Sequence, residues 1–239
     1  MKPIIAIERK RVEKYESDVQ KNYDRTIIIT EEDRKNLPFT DKKKVEVIPN
    51  GIDEDYYIDI YSDKKYDIMF SGNLSYPPNI DAAFFLAQKI VPLLLSDHPN
   101  LRVLIVGASP NKKVLNLVST NIVIRSWVED IRECYASTKI YVAPMQLGTG
   151  LQNKLLEAMM MKIPCITSSL AQKGINAKIG EEILVADKPE EYCYLIKKLL
   201  EDISYSDKIA MNGQNYVKRN FNWNKITDKV NVILNSLQK

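Results

Sequence analysis

The 239-residue chain is 45% hydrophobic and 27% charged, which excludes a disordered or low-complexity polypeptide and supplies apolar material for one sizeable α/β domain or two small ones. Its formal net charge of +3, with lysine and arginine interleaved among aspartate and glutamate, excludes the global field that a nucleic-acid partner demands. Cys134, Cys165 and Cys193 lie far apart without metal-ligand spacing, and no apolar run reaches the length of a membrane-spanning helix or a secretion signal, so a cytoplasmic protein with buried thiols is expected.

Residues 5–23 place Ile5, Val12, Tyr15 and Val19 at helical spacing among charges, and the β-branched run 26–30 predicts a buried strand. Glu31, Glu32 and Asp33 suit the start of a short helix that Pro38 stops, and residues 45–48 predict another strand ahead of Pro49, Asn50 and Gly51. From Tyr66 the pattern restarts. Strands are expected at 67–71, 102–106, 122–124, 140–143 and 164–168, alternating with helices at 80–95, 112–119, 131–137 and 151–161, with further helices at 190–201 and 207–237. Strands that are apolar throughout and alternate with helices imply a parallel sheet covered on both faces. In such a sheet ligands bind beyond the carboxyl ends of the strands, which directs attention to the loops at Gly72, Gly107, 125–128 and 145–150.

The stretch VAPMQLGTGLQNKLLEAMMMKIPCIT carries the most chemistry. A strand delivers Gly148, Thr149 and Gly150 to the expected first turn of a helix at Leu151, where unpaired amides and the helix dipole favour an anion. Lys154 lies near the same helix end, and Glu157 follows on a neighbouring face. Cations hold phosphates and a carboxylate accepts from two ribose hydroxyls, so the set suits a nucleoside diphosphate. Taken alone, Gly-x-Gly is equally a plain turn, Lys154 a solvated helix lysine and Glu157 a surface carboxylate.

Taken together and in order, VIPNGID, MFSGNLSYPPNIDAAFFL, IVG, WVEDI and GTGLQNKLLEAMMMKIPCI resemble the donor-domain signatures of family four of the retaining glycosyltransferases, in the branch of exopolysaccharide-associated sugar transferases. The resemblance spans nearly the whole chain. It implies an α/β, GT-B C-terminal Rossmann-like domain with a parallel sheet, plus a partial N-terminal domain remnant. The expected division is 1–60 for the remnant of the acceptor-binding domain and the interdomain strand, 61–215 for the nucleotide-sugar domain, and 216–239 for a C-terminal crossover helix anchored by Phe221 and Trp223.

The resemblance also implies roles. The family's two donor-site glutamates, with seven residues between them, fall on Thr149 and Glu157, so a hydroxyl replaces the carboxylate beside the sugar while Glu157 holds the ribose. The phosphate-clamping arginine and lysine after the first strand are missing from GNLSYPPN, and Lys154, where proline is common, is expected to replace that charge. Thr149 and Lys154 are thus the expected catalytic residues. Gly72, Asn73, Trp127, Val128, Gly148, Gly150, Leu151 and Glu157 are expected to bind the donor, with Asn73 and Tyr76 flanking a turn that faces the diphosphate. Trp127 either stacks on the base or packs in the core.

The implied reaction moves a sugar from a nucleotide diphosphate sugar to a glycan or lipid-linked acceptor by front-face attack, without cofactor or metal. The alternative is a non-catalytic nucleotide-sugar-binding module that needs a partner chain for the acceptor domain; a nucleotide-sugar epimerase fits the LLEAM pattern less well. Because most of an acceptor half is missing from the motifs, exposed apolar surface near Ile27–Ile29 is expected, either covered by another chain, covered by self-association, or left bare in an unstable product. Lys42–Lys44 suit a solvated turn or a peripheral contact at the inner membrane face. Asp53, Glu54 and Asp55 have a metal-binding shape but follow the interdomain strand, away from the phosphates, and His98 is expected at the surface.

Overall fold

The computed structural model describes residues 2–39, 42–57, 60–148 and 150–237, and side chains from Ile4 onward within them. Lys2–Lys21 forms α1, and Thr26–Ile28 forms β1, which pairs in parallel with β2, Val45–Val47. Between them lies α2, Glu31–Asn36, whose N-cap Thr30 accepts from the Asp33 amide at 3.0 Å, the ordinary device for satisfying a free first-turn donor. Three acids in that first turn complement the helix dipole.

The strand expected to be buried is shorter and more open than its composition suggests. Ile27 is 54% and Ile29 40% exposed, and α1 leaves Ile4, Ile5, Ile7, Val12 and Tyr15 exposed as well. A two-stranded sheet cannot cover both of its own faces, so β-branched residues lie in the open until something packs on them.

The larger sheet contains β3 (Tyr66–Ser71), β4 (Val103–Val106), β5 (Ile122–Arg125), β6 (Thr138–Ala143), β7 (Cys165–Thr167) and β8 (Leu184–Val185). Its order is β5-β4-β3-β6-β7-β8, with every pair parallel. The chain runs outward from β3 in one direction, returns, and runs outward from β6 in the other, so the strand order reverses between β3 and β6. A crevice opens at such a reversal. Ile68, Met69, Phe70 and the whole of Val103–Val106 are fully buried, as strands covered on both faces must be, and each large side chain there contributes about 1.5–3 kcal/mol of transfer free energy.

The covering helices are α3 (Pro77–Phe85), which runs through a π-turn at Leu86–Ile90 into α4 (Val91–Leu94), then α5 (Lys112–Leu115), α6 (Ile131–Ala136), α7 (Asn153–Met160), α8 (Ser169–Ile175), α9 (Pro189–Glu201), α10 (Ile203–Asn220) and α11 (Trp223–Leu237). Three departures from expectation have plain causes. The helix expected from Ile80 starts three residues earlier, at Pro77 and Pro78, since proline suits the first helical positions. The expected helix 207–237 is two helices, because the backbone leaves the helix at Phe221, which is buried against Tyr216 with ring centroids 5.9 Å apart. His98 is only partly exposed, and its Nε2 is buried without a partner among the described residues.

Cys134, Cys165 and Cys193 are all buried free thiols. Among the described residues no helix is long and apolar enough to cross a membrane. The Lys42 and Lys44 ammonium groups donate to the carbonyls of Lys35 and Tyr23, at 2.8 and 3.4 Å.

The tail closes back on the segment between the two sheets. The Ile52 amide donates to the Phe221 carbonyl at 2.7 Å, and Ile52 bridges Asn222 in parallel. The Trp223 ring lies so close to Gly51 that a Cβ there would fall 2.3 Å from it.

Candidate functional site

Two loops leave the carboxyl ends of the adjacent strands β3 and β6 and meet over the crevice. The first begins at Gly72, whose amide donates to the Val106 carbonyl at 3.1 Å, and the second carries Gly148 and Gly150. Gly148 and Gly150 have φ values of +90° and +88°, a region that L side chains rarely adopt, so these two positions need glycine. A Cβ on Gly148 would lie 3.6 Å from Pro78, which places the second loop against the start of α3.

Lys154 joins the two loops. Its ammonium donates to the Asn79 Oδ1, lies 3.7 Å from the Met145 Sδ and sits 4.9 Å above the Phe70 ring. Asn79, itself buried, donates through Nδ2 to the Asn73 carbonyl at 2.9 Å, so the lysine is tethered to the Gly72 turn. Burial lowers its pKa to about 8 from an ordinary 10.5, with Glu157 opposing the shift. An ammonium held at that cost in charge is poised to gain from an arriving anion.

The first turn of α3 is a poor anion site despite its position. Pro77 and Pro78 have no N–H, and the Asn79 and Ile80 amides both donate to the Tyr76 carbonyl. Asn73 likewise turns inward: its Oδ1 accepts from the Ser75 amide and hydroxyl at 2.9 and 2.7 Å, which stabilises the turn. Among the described residues, the cation that joins these two loops is Lys154.

The helix expected to begin at Leu151 begins instead at Asn153, with Gln152 as N-cap. Two positive-φ glycines in succession turn the chain away from the helical path, and two further residues pass before it re-enters. The Gly150 and Leu151 amides consequently belong to the loop, not to the helix, and take no backbone or side-chain acceptor among the described residues. Thr149, the expected partner of the sugar, lies outside the described residues.

Glu157 is the fifth residue of α7, three beyond Lys154, in a cleft of about 220 Å³ lined also by Gly51, Asp53, Tyr57 and Asn153. Its Oε2 accepts from the Tyr135 hydroxyl at 2.9 Å. Burial raises its pKa, against the pull of Tyr135, Lys154 and Tyr57. Lys154 and Glu157 are both driven toward their neutral forms, so desolvation outweighs their mutual attraction in the unliganded site.

Trp127 is 75% exposed, which rules out the packing role and leaves its faces free, while Val128 is partly buried against the core. The loop carrying them ends at Asp130, which caps α6 and pairs with Arg132 at 2.6 Å. Arg132 in turn donates to the Tyr56 carbonyl at 2.6 Å and lies 4.0 Å above the Tyr56 ring, tying the loop to the segment between the sheets. In that segment Asp53 accepts from the Tyr56 amide and Glu54 from Asn222. These carboxylates serve the local backbone and the returning tail, and among the described residues no group of three or more His, Cys, Asp or Glu side chains is placed to hold a metal ion.

Sequence reasoning did not single out Asn79, Tyr135 or Tyr57. Asn79 offered one signal, an amide on the face of α3 that ought to be apolar; the tyrosines offered none, since contact with Glu157 arises from three different elements.

The profile described as glycosyl transferases group 1 matches residues 65–202. An uncharacterized 44.6 kDa protein in the cps region of Klebsiella pneumoniae is 23% identical over 211 residues, covering 81% of this chain and 54% of that protein. Spore coat protein SA of Bacillus subtilis is 22% identical over 183 residues, covering 68% and 47%. The chain thus spans about half the length of these curated relatives. Among solved structures, a glycosyltransferase from Rickettsia africae matches with a TM-score of 0.80 at 15% identity, covering 95% of this chain and 67% of that one. Anabaena Alr3699/HepE, in complex with UDP and glucose, matches with a TM-score of 0.75 at 14% identity, covering 89% and 63%. At such identities the likeness is one of fold.

Proposed function

Because the chain belongs to the glycosyl transferases group 1 family, we propose that it is the donor-binding part of a retaining glycosyltransferase that passes a sugar from a nucleoside diphosphate to a glycan or lipid-linked acceptor. The observation that carries this reading is the meeting of two glycine-bearing loops at the strand-order reversal, with a buried ammonium between them and a carboxylate one helical turn further on. In it the diphosphate lies against Lys154 and the Gly150 and Leu151 amides, the pentose against Glu157, and the base on Trp127. The bond from the anomeric carbon to the diphosphate breaks, the acceptor oxygen bonds to the same face, and its proton passes to the departing phosphate oxygen. Lys154 and the loop amides stabilise the negative charge as it develops. The complex of HepE with UDP and glucose lends this pocket chemistry support by fold. The open faces of α1 and β1 fit an acceptor-binding domain packed over them.

The test is thermal denaturation with UDP, GDP, ADP and their sugar derivatives. A bound ligand at a hundredfold excess over Kd adds about 2.7 kcal/mol, a rise in Tm of roughly 5 to 10 °C. Glu157→Gln is expected to remove most of that rise, since a hydrogen bond to a charged acceptor is worth about 1.5–3 kcal/mol. No shift with any nucleotide, or an undiminished shift in the variant, rules the assignment out.

Trp127→Ala provides a separate check on the base. Being exposed, the ring contributes little to folding, whereas loss of stacking is expected to weaken nucleotide binding by about tenfold at unchanged unliganded Tm. Equal affinities in calorimetric titration would place the base elsewhere.

A further inference from the structure

Behind Glu157 runs a chain of hydroxyl groups that the reaction itself does not call on. The Tyr135 hydroxyl lies 2.9 Å from the Glu157 Oε2 and 3.0 Å from the Ser71 Oγ; the Ser71 Oγ lies 2.8 Å from the Tyr141 hydroxyl; and the Ser71 amide donates back to the Tyr141 oxygen at 3.3 Å. Tyr135 and Tyr141 are fully buried and Ser71 is 5% exposed, so water does not compete for these groups. We propose that Tyr135 is a positioning residue that fixes Glu157 as a pure hydrogen-bond acceptor and so makes the site select nucleotides with two free ribose hydroxyls. The proposal rests on the reading of Glu157 as the ribose ligand.

Counting protons fixes the direction of the chain. An ionised carboxylate only accepts, and each hydroxyl has a single proton to donate. Tyr135 must therefore donate to Glu157, which obliges it to accept from Ser71. Ser71 must then accept from Tyr141, and Tyr141 accepts from the Ser71 amide, which cannot reverse. Every donor points toward Glu157. Burial holds the Tyr135 hydroxyl well above its usual titration range, so the donor persists at any ordinary pH.

A carboxylate offers about four acceptor positions. Tyr135 occupies one, and Tyr57 faces the carboxylate from the segment between the sheets. Two positions remain toward the cleft, the number that a vicinal diol fills. A 2′-deoxynucleotide leaves one of them empty in a partly desolvated site, and that vacancy is what discriminates. The chain also starts one residue before Gly72, so the turn and the carboxylate on either side of the crevice share one rigid frame.

The test compares UDP, GDP and ADP with their 2′-deoxy forms by calorimetric titration over a range of pH. The wild-type chain is expected to prefer the ribonucleotide by about tenfold. That preference disappears as Glu157 becomes protonated, in a site where Tyr135 and Tyr141, Tyr57, and Lys154 on its own helix are the facing titratable groups. Tyr135→Phe is expected to reduce the preference to about threefold or less and to move its loss to higher pH, because the carboxylate has one donor fewer; a purely structural role for the hydroxyl would leave the pH of that loss in place. Ser71→Ala, which cuts the chain one step further back, is expected to reduce the preference as well, and decides the matter if Tyr135→Phe does not fold. If Glu157→Gln abolishes the preference while Tyr135→Phe or Ser71→Ala, folded, retains it with the same pH dependence, the positioning role is wrong and the ribose assignment stands. Preference intact in Glu157→Gln, or no nucleotide bound by the wild type, overturns both.

Discussion

Lys154→Met is expected to stabilise the unliganded chain while removing its affinity for nucleoside diphosphates. Burial has lowered the ammonium to a pKa of about 8 from 10.5, a difference equivalent to about 3 kcal/mol of folding free energy at neutral pH, and a methionine of similar length avoids it. The sign can be checked against pH. Between pH 8 and 10.5 the unfolded chain keeps this proton and the folded chain does not, so wild-type stability rises relative to the variant, and the advantage of methionine shrinks toward zero. Urea denaturation of both proteins at pH 7 and pH 10 measures the difference. Binding moves the other way. Removing the one ammonium shared by the two loops is expected to weaken a diphosphate by about a hundredfold. In the wild type, affinity falls as the pH passes about 8 and the free lysine loses its charge. A variant that binds as the wild type does would leave the phosphates without their proposed cation.

Gly107→Ala carries the largest expected loss of stability. A Cβ at this position would lie 1.6 Å from the Gly72 carbonyl oxygen, and both groups are backbone at the ends of neighbouring central strands. No rotamer change relieves such an overlap; β4 must move away from β3 or the Gly72 turn must open, at a cost of about 3 kcal/mol or more. Thermal denaturation is expected to show Tm lowered by roughly 6 to 12 °C. Gly180→Ala is the matched control. Its φ is +81° but nothing lies within 4 Å of the added methyl, so only backbone strain of about 1 kcal/mol is expected. Equal effects in the two variants would mean that crowding at Gly107 is relieved elsewhere.

The larger sheet is legible in the sequence because its strands are brief apolar runs, such as Val103–Val106, set between turns and helices of contrasting period. β8 and α8 are not legible for the converse reason. Two residues are too few to show any period, and Gly174 in α8 weakens the helical signal that its neighbours carry. The loop at Gly148 and the helix after it are legible in kind but not in phase, since the positive φ angles that delay the helix to Asn153 are a property of the folded backbone. Lys154 and Glu157 are recognisable one by one, and their partners are not. Asn79, Tyr135 and Tyr57 lie 75, 22 and 100 residues away along the chain, and only the strand order brings them together. The polar neighbours of His98 predict a surface residue, yet its Nε2 is buried.

The tail meets the segment that connects the two sheets at Ile52, through one backbone hydrogen bond from Ile52 to Phe221 and an isolated parallel bridge with Asn222. A lone connecting strand lets attached bodies swivel about any axis. A second length of backbone bonded to it makes the connection harder to twist. The tail from Asn222 onward is therefore a brace on the connection from β2 to β3, and cutting it away would leave that connection single.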